Sequence, residues 1–257
     1  MEYYVPKGSL LDNNEFSIYG VSNLKDYASQ VMEYLMCIKK NILQFFEIDH
    51  YDKVRINLYD SREDILKWRT QFGNAPYKIG NNAGFFYDNM VFCYSDFSKV
   101  DVMIAIKNVA HEFVHLVYMN AVQEKGNEKR VVWVDEGLAQ LLSGQKEDLL
   151  DKERFKIWFM NHILGANKEI PNINFLKQHG SEYGSFCDTK TNKYNGYDFS
   201  YVLIRYLLET VDKTEFQRII RNKDLIEKLE STIIEDAVSY YIKVLNIESE
   251  FSIQRKR

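Results

Sequence analysis

The chain has 257 residues, 46% of them apolar and 27% charged, with a net charge of −4. That is the composition of a folded globular protein, and the slight negative balance excludes the basic field that nucleic acid or an anionic membrane surface recruits. No run approaches the ~18 consecutive apolar residues of a membrane-spanning helix.

The opening residues, Met1 to Lys7, lack a basic stretch followed by an apolar run, so no signal peptide is expected. Cys37, Cys93 and Cys187 are odd in number and show no Cys-x-x-Cys spacing. They read as reduced thiols in a reducing compartment, and a cytoplasmic location is the expectation.

Residues 1–20 are mixed and partly extended. From Asn23 to Phe46, apolar Leu24, Tyr27, Val31, Leu35, Ile38, Ile42 and Phe45 recur at steps of three and four, which predicts a long amphipathic helix. Val54, Ile56 and Leu58 alternate with Lys53, Arg55 and Asn57, the pattern of a half-buried strand. Ser61 with Asp64 resembles a capping box and opens a helix toward Phe72, with Gly73 as its C-terminal cap. Pro76, Gly80 and Asn81-Asn82 mark a loop.

Gly84 to Tyr87 and Met90 to Tyr94 flank Asp88-Asn89 as a β-hairpin. Its strand is either a core element or an edge able to pair with a peptide backbone. Val100 to Val122 is a helix whose apolar residues, Val102, Ile104, Ile106, Val109, Phe113, Val114, Leu116 and Val117, cover most of the circumference. Such a helix is buried in its domain.

A charged loop, Gln123 to Arg130, leads to a helix over Val134 to Ser143 with Gly144 as its cap. Further helices are expected over Lys152–Leu164, in the region Asn174–Gln178, and over Tyr197–Val211, Thr214–Arg221 and Ser231–Val244. Gly180 to Gly196 is a long polar loop, and Arg255-Lys256-Arg257 reads as a solvated tail. These elements predict an α+β chain with an N-terminal α+β lobe over residues 1–122 and a helical C-terminal lobe over 123–257.

Within the buried helix stand His111, Glu112 and His115. A spacing of four puts the two imidazoles on one face, one turn apart, with Glu112 beside them. Buried polar groups need hydrogen bonds or a metal, and two imidazoles on one rigid element with a neighbouring carboxylate are what a catalytic zinc uses. A catalytic zinc takes a third protein ligand and keeps an open position. Asp135 and Glu136 are both candidates. Asp135 lies nearer the apolar face marked by Leu138 and Leu142, so periodicity alone does not select Glu136.

His111-Glu112-Phe113-Val114-His115, followed some twenty residues later by Trp133-Val134-Asp135-Glu136-Gly137-Leu138-Ala139, resembles the signature of the gluzincins, the thermolysin- and aminopeptidase-type zinc peptidases. The resemblance implies one Zn²⁺ per chain, held by His111, His115 and Glu136, with Glu112 as general base. It implies a thermolysin-like fold: a small N-terminal mixed sheet with helices, a central metal-binding helix and a helical C-terminal lobe. Asp135 then becomes a helix cap or an acceptor for a ligand imidazole.

Tyr197 to Leu207 resembles the family segment that supplies an oxyanion-donating tyrosine, with Ser200 in place of a glycine. This assigns the role to Tyr197, with Tyr194, Tyr201 and His179 as rivals. His50 and His162 have no motif around them and take no role. The aminopeptidase glutamate that binds a substrate amino terminus has no counterpart in Asn82 to Tyr87. The expected activity is therefore a peptidase of endopeptidase type acting on a peptide or protein substrate. The alternative is a catalytically silent relative that binds a peptide or protein partner.

Overall fold

The structure, a computed structural model, describes residues 5–70, 80–122, 131–177, 186–188 and 190–247. The chain forms two compact units, Met1–Ala121 with Leu142–Gln145, and Val122–Leu141 with Lys146–Arg257.

The first unit is built on one mixed sheet. Strands β1 (Ser9–Asp12) and β2 (Phe16–Tyr19) form an antiparallel pair. A short 3₁₀ turn, Ser22–Leu24, leads into α1 (Lys25–Phe45), whose buried residues Tyr27, Ala28, Val31, Leu35 and Ile42 are the periodic set expected of it. β3 (Val54–Tyr59), α2 (Arg62–Thr70), β4 (Asn82–Tyr87) and β5 (Met90–Ser95) follow. The strand order is β1-β2-β3-β5-β4, with β3 parallel to β2 and to β5 and the outer pairs antiparallel. Parallel neighbours need crossover connections, and α1 is the one between β2 and β3.

β3 departs from the half-buried strand that its alternation predicts. As the central strand it is covered on both faces, and Asn57 is as buried as Ile56. Asn57 is tolerated there because its amide donates to the Val91 carbonyl at 3.2 Å and its oxygen accepts from Arg55 at 2.9 Å. On one face Tyr59, Ile65, Trp68 and Phe92 form a cluster under α2, with Phe85 packed against it. On the other face, Phe16 meets Phe113 edge-on at 5.3 Å.

Ser61 does cap α2, accepting from the Asp64 amide at 3.1 Å. Phe72 and Gly73 lie outside the described residues, as do Pro76, the loop 123–130 and the tail 255–257. The hairpin forms as expected, with Asp88 at φ 54°, a left-handed conformation that aspartate tolerates in turns.

α3 (Val102–Val117) runs on into a π-helical turn, Tyr118–Val122. Asp101 caps it, accepting from the Met103 amide at 2.8 Å. Burial is continuous only from Val109 onward. Val102, Met103 and Ile104 in the first turn are exposed, so the all-round burial expected from the apolar pattern holds for Val109 to Val117, a little over half of the helix.

The second unit is helical: α4 (Val132–Leu142), a 3₁₀ turn at Glu147–Leu150, α5 (Lys152–His162), α6 (Ile173–Leu176), α7 (Gly196–Thr210), α8 (Lys213–Arg221), α9 (Lys223–Leu229) and α10 (Ile233–Val244). Asp151, Asn195, Asp212 and Asn222 accept the capping bonds of α5, α7, α8 and α9. α9 has no counterpart in the sequence reading, because the single residue Asn222 both ends α8 and caps α9. Gly144, at φ 76°, ends α4 in the left-handed conformation that suits glycine.

The core of this unit is aromatic, with Phe155 against Tyr241 at 4.9 Å and the Arg205 guanidinium 3.9 Å over the Phe155 ring. α4 and α7 pack backbone to backbone: a Cβ on Gly137 would sit 2.3 Å from the Ser200 carbonyl oxygen. Among the described residues no helix is long and apolar enough to cross a membrane.

Candidate metal centre

His111, Glu112 and His115 are all buried on α3, and their ligand atoms lie within 4.8 Å of one another. The two imidazole rings stand nearly perpendicular, 89° apart, with centroids at 4.5 Å. A spacing of four on a helix produces this approach, and the apolar residues around it (Val109, Phe113, Val114 and Leu116) hold the helix in the core.

Two neighbours orient the group. The first is Gln145, just past the glycine that ends α4. Its Oε1 lies 2.9 Å from His111 Nδ1. An amide oxygen can only accept, so Nδ1 is the donor of this bond, and in the neutral imidazole that leaves Nε2 with its lone pair. That is the tautomer a metal-binding imidazole needs, and a partner on the far nitrogen is the usual second layer of such a site.

The second neighbour is β4. A Cβ on Gly84 would lie 2.5 Å from Glu112 Oε1 and 2.4 Å from its Cγ, so the glutamate lies directly against the strand backbone. Two residues on, along the same face of β4, the Phe86 ring lies 5.5 Å from that of His115. The absence of a side chain at Gly84 is therefore what leaves room for Glu112. Cys93, opposite Gly84 on β5, is buried. Burial holds its thiol well above the ordinary range, and the charge of Glu112 adds to the effect.

The other predicted residues belong to the second unit. Glu136 is 3% exposed and Asp135 fully buried on α4. Trp133 of the same segment is anchored by its indole N–H, which donates at 3.2 Å to Glu230, itself paired with Lys177. Tyr197 opens α7, its amide donating to Asn195 at 3.0 Å and its ring edge-on to Phe186 at 5.0 Å.

Glu136 and Tyr197 both act on Cys187. Burial raises that thiol, the amides of Gly196 and Tyr197 lower it, and the charges of Asp198 and Glu136 raise it again. α4 and α7 touch where Gly137 meets Ser200 and Ile204.

Two of the rivals of Tyr197 lie among the described residues, each with contacts of its own. Tyr201 is fully buried against Phe155 and Trp158, with Arg205 at 3.4 Å from its hydroxyl. Tyr194 stacks on Phe175 at 6.0 Å. His179 lies outside the described residues. His50 is exposed beside Asp52, and His162 stacks on Trp158 with its Nδ1 3.2 Å from Asp198.

The sequence reading missed Gln145 and the role of Gly84. A glycine inside a strand signals a close backbone approach, so Gly84 left a trace. Gln145 left none, because its partner is 34 residues away. As a donor set, two buried imidazoles with a carboxylate beside them suit a divalent transition metal such as zinc. No protein-family model matches the chain, and no curated protein matches it.

Proposed function

We propose that the chain is a zinc-dependent peptidase of thermolysin-like type, cleaving peptide or protein substrates internally. The observation that carries this reading is the buried His111–His115 pair, with Gln145 on the far nitrogen of His111 and Glu112 pressed against a strand. Composition alone would not place such polar groups in a core without a partner for them.

In this reading His111 and His115 hold the metal, and the resemblance supplies Glu136 as the third ligand. Zinc, when bound, supplies a Lewis acid that polarises a carbonyl oxygen and brings the pKa of water down to near ~7. Glu112 accepts a proton from the attacking water on a carboxylate oxygen and passes it to the leaving amine nitrogen. The Tyr197 hydroxyl donates to the oxygen that gains charge on the scissile carbonyl.

β4 is an edge strand among the described residues, beside Glu112, and its backbone suits pairing with an extended substrate. It carries no glutamate, which favours an endopeptidase over an aminopeptidase. Three free cysteines suit a cytoplasmic setting.

The test is metal analysis of protein purified without chelator, together with turnover of a mixed-sequence peptide library. One zinc per chain and cleavage are expected. Glu112→Gln should keep the zinc and lose turnover by ~10²- to 10⁴-fold, the worth of a general base. A Glu112→Gln variant of full activity overturns the base assignment. Metal without any turnover in the native protein favours a silent peptide-binding domain.

A further inference from the structure

Gln145, which accepts from His111, is followed directly by Lys146. The Lys146 ammonium donates to Asp198 Oδ1 at 2.8 Å and lies 4.9 Å from the centre of the Trp158 ring. His162, stacked on the same indole, places its Nδ1 3.2 Å from the other oxygen, Oδ2. Asp198 therefore serves two bases with its two oxygens. The Lys146 and Asp198 side chains are 20% and 7% exposed. That separates the pair from surface ion pairs, many of which contribute nothing measurable. An ion pair this far from water holds firmly, because parting it strands a charge. On the other side of Gln145, its amide makes a bond of 3.4 Å to Ser143 Oγ, beyond the usual range for a hydrogen bond.

The two firm contacts each lie within one unit: Gln145 with His111 in the first, Lys146 with Asp198 in the second. A single peptide bond joins Gln145 to Lys146, and it fixes neighbouring Cα atoms about 3.8 Å apart. We propose that Lys146 and Asp198 are positioning residues of the metal centre: their ion pair pins the main chain at Gln145 and Lys146, and so holds the Gln145 oxygen on His111 Nδ1. Neither residue touches the metal or moves a proton. Asp198 acts through Lys146, Lys146 through Gln145, and Gln145 through the tautomer of His111. This inference rests on the metal-binding reading of His111 and His115 and deepens it, since a carboxylate distant in the chain then sets metal affinity.

The experiment measures the zinc affinity of the full chain by competitive chelator titration. Lys146→Met, which keeps the stem over Trp158 without the ammonium, is compared with Lys146→Arg, which keeps the charge. Each is made in the native chain and in a Gln145→Leu background. Nitrogen NMR of the metal-free protein reads which His111 nitrogen carries the hydrogen, a signal that a merely structural role leaves unmoved. Circular dichroism establishes that each variant is folded; should Lys146→Met not fold, the near-isosteric Asp198→Asn, which removes the negative partner, carries the test.

We expect Lys146→Met to weaken zinc binding by about threefold to tenfold and to mix the two His111 tautomers, while Lys146→Arg keeps the native values. In the Gln145→Leu background Lys146→Met adds no further loss, the non-additivity of residues that act in series. Native affinity and a single tautomer in folded Lys146→Met overturn the proposal and leave the metal centre standing. An equal loss in both backgrounds also overturns it, by showing that Lys146 acts by a route other than Gln145. Native protein that binds no zinc overturns the metal centre and this inference together.

Discussion

Gln145 decides which nitrogen of His111 is available, and it does so with one hydrogen bond of 2.9 Å. Replacing it by leucine removes the acceptor while keeping most of the volume. We expect Gln145→Leu to weaken zinc binding by ~10- to 100-fold, the usual cost of losing such a partner, while Gln145→Glu, which still accepts from Nδ1–H, keeps native affinity or better. A competitive chelator titration reads both. Unchanged affinity in Gln145→Leu shows that packing alone orients His111. At this scale the sequence was legible where spacing carries the chemistry: His111, Glu112 and His115 need only a helix to meet. Gln145 and Gly84 were not, since each acts on a residue distant in the chain, and only the fold brings them within reach.

α4 and α7 show how an element's identity can rest on one missing methyl group. Alanine is ordinarily the better helix former, by up to ~1 kcal/mol over glycine. At position 137 the added Cβ would lie 2.3 Å from the Ser200 carbonyl oxygen and 2.5 Å from Ile204 Cγ1. The first of these is backbone and cannot rotate away, so overpacking wins. Gly137→Ala should lower stability by ~1–3 kcal/mol, seen as a lower urea midpoint with an unchanged slope. A native or higher midpoint shows that the helices separate freely.

Helices with a long apolar period, such as α1 and α7, were readable from sequence. The burial of β3 was not, because alternation reports one face and cannot show that a second layer covers Asn57. α9 was hidden because caps usually punctuate longer intervals than a single asparagine.

Among the described residues, one unit is a mixed five-stranded sheet with helices and the other is helical. Its α+β class followed from the sequence, since helical and alternating periods are both strong and segregate along the chain. Strand order did not, as no local pattern tells β5 to insert between β3 and β4.

The three cysteines sample the molecule as a whole: Cys37 is exposed, Cys187 half-buried and Cys93 buried. Burial raises the thiols of Cys187 and Cys93. A group held above its usual pKa stays protonated at mildly alkaline pH, and the protonated thiol is the unreactive form. At pH 8, a thiol reagent should therefore modify Cys37 quickly, Cys187 slowly, and Cys93 only after denaturant is added. Three fast equivalents in native protein would contradict the burial of Cys93.

Leu142–Gln145 belongs with the first unit although the chain on either side belongs with the second. The polypeptide thus changes unit three times, near residues 121, 141 and 145. Neither unit is a contiguous stretch of gene, so no single cut yields both whole. A fragment ending at Ala121 would keep both histidines of α3 yet lose Gln145, and with it the bond that selects the tautomer of His111. It would also lose Ser143, whose carbonyl accepts from the Tyr34 hydroxyl of α1 at 2.8 Å. The modular boundary in this protein is a short excursion of chain, and the chemistry of the helix it returns to depends on that excursion being translated.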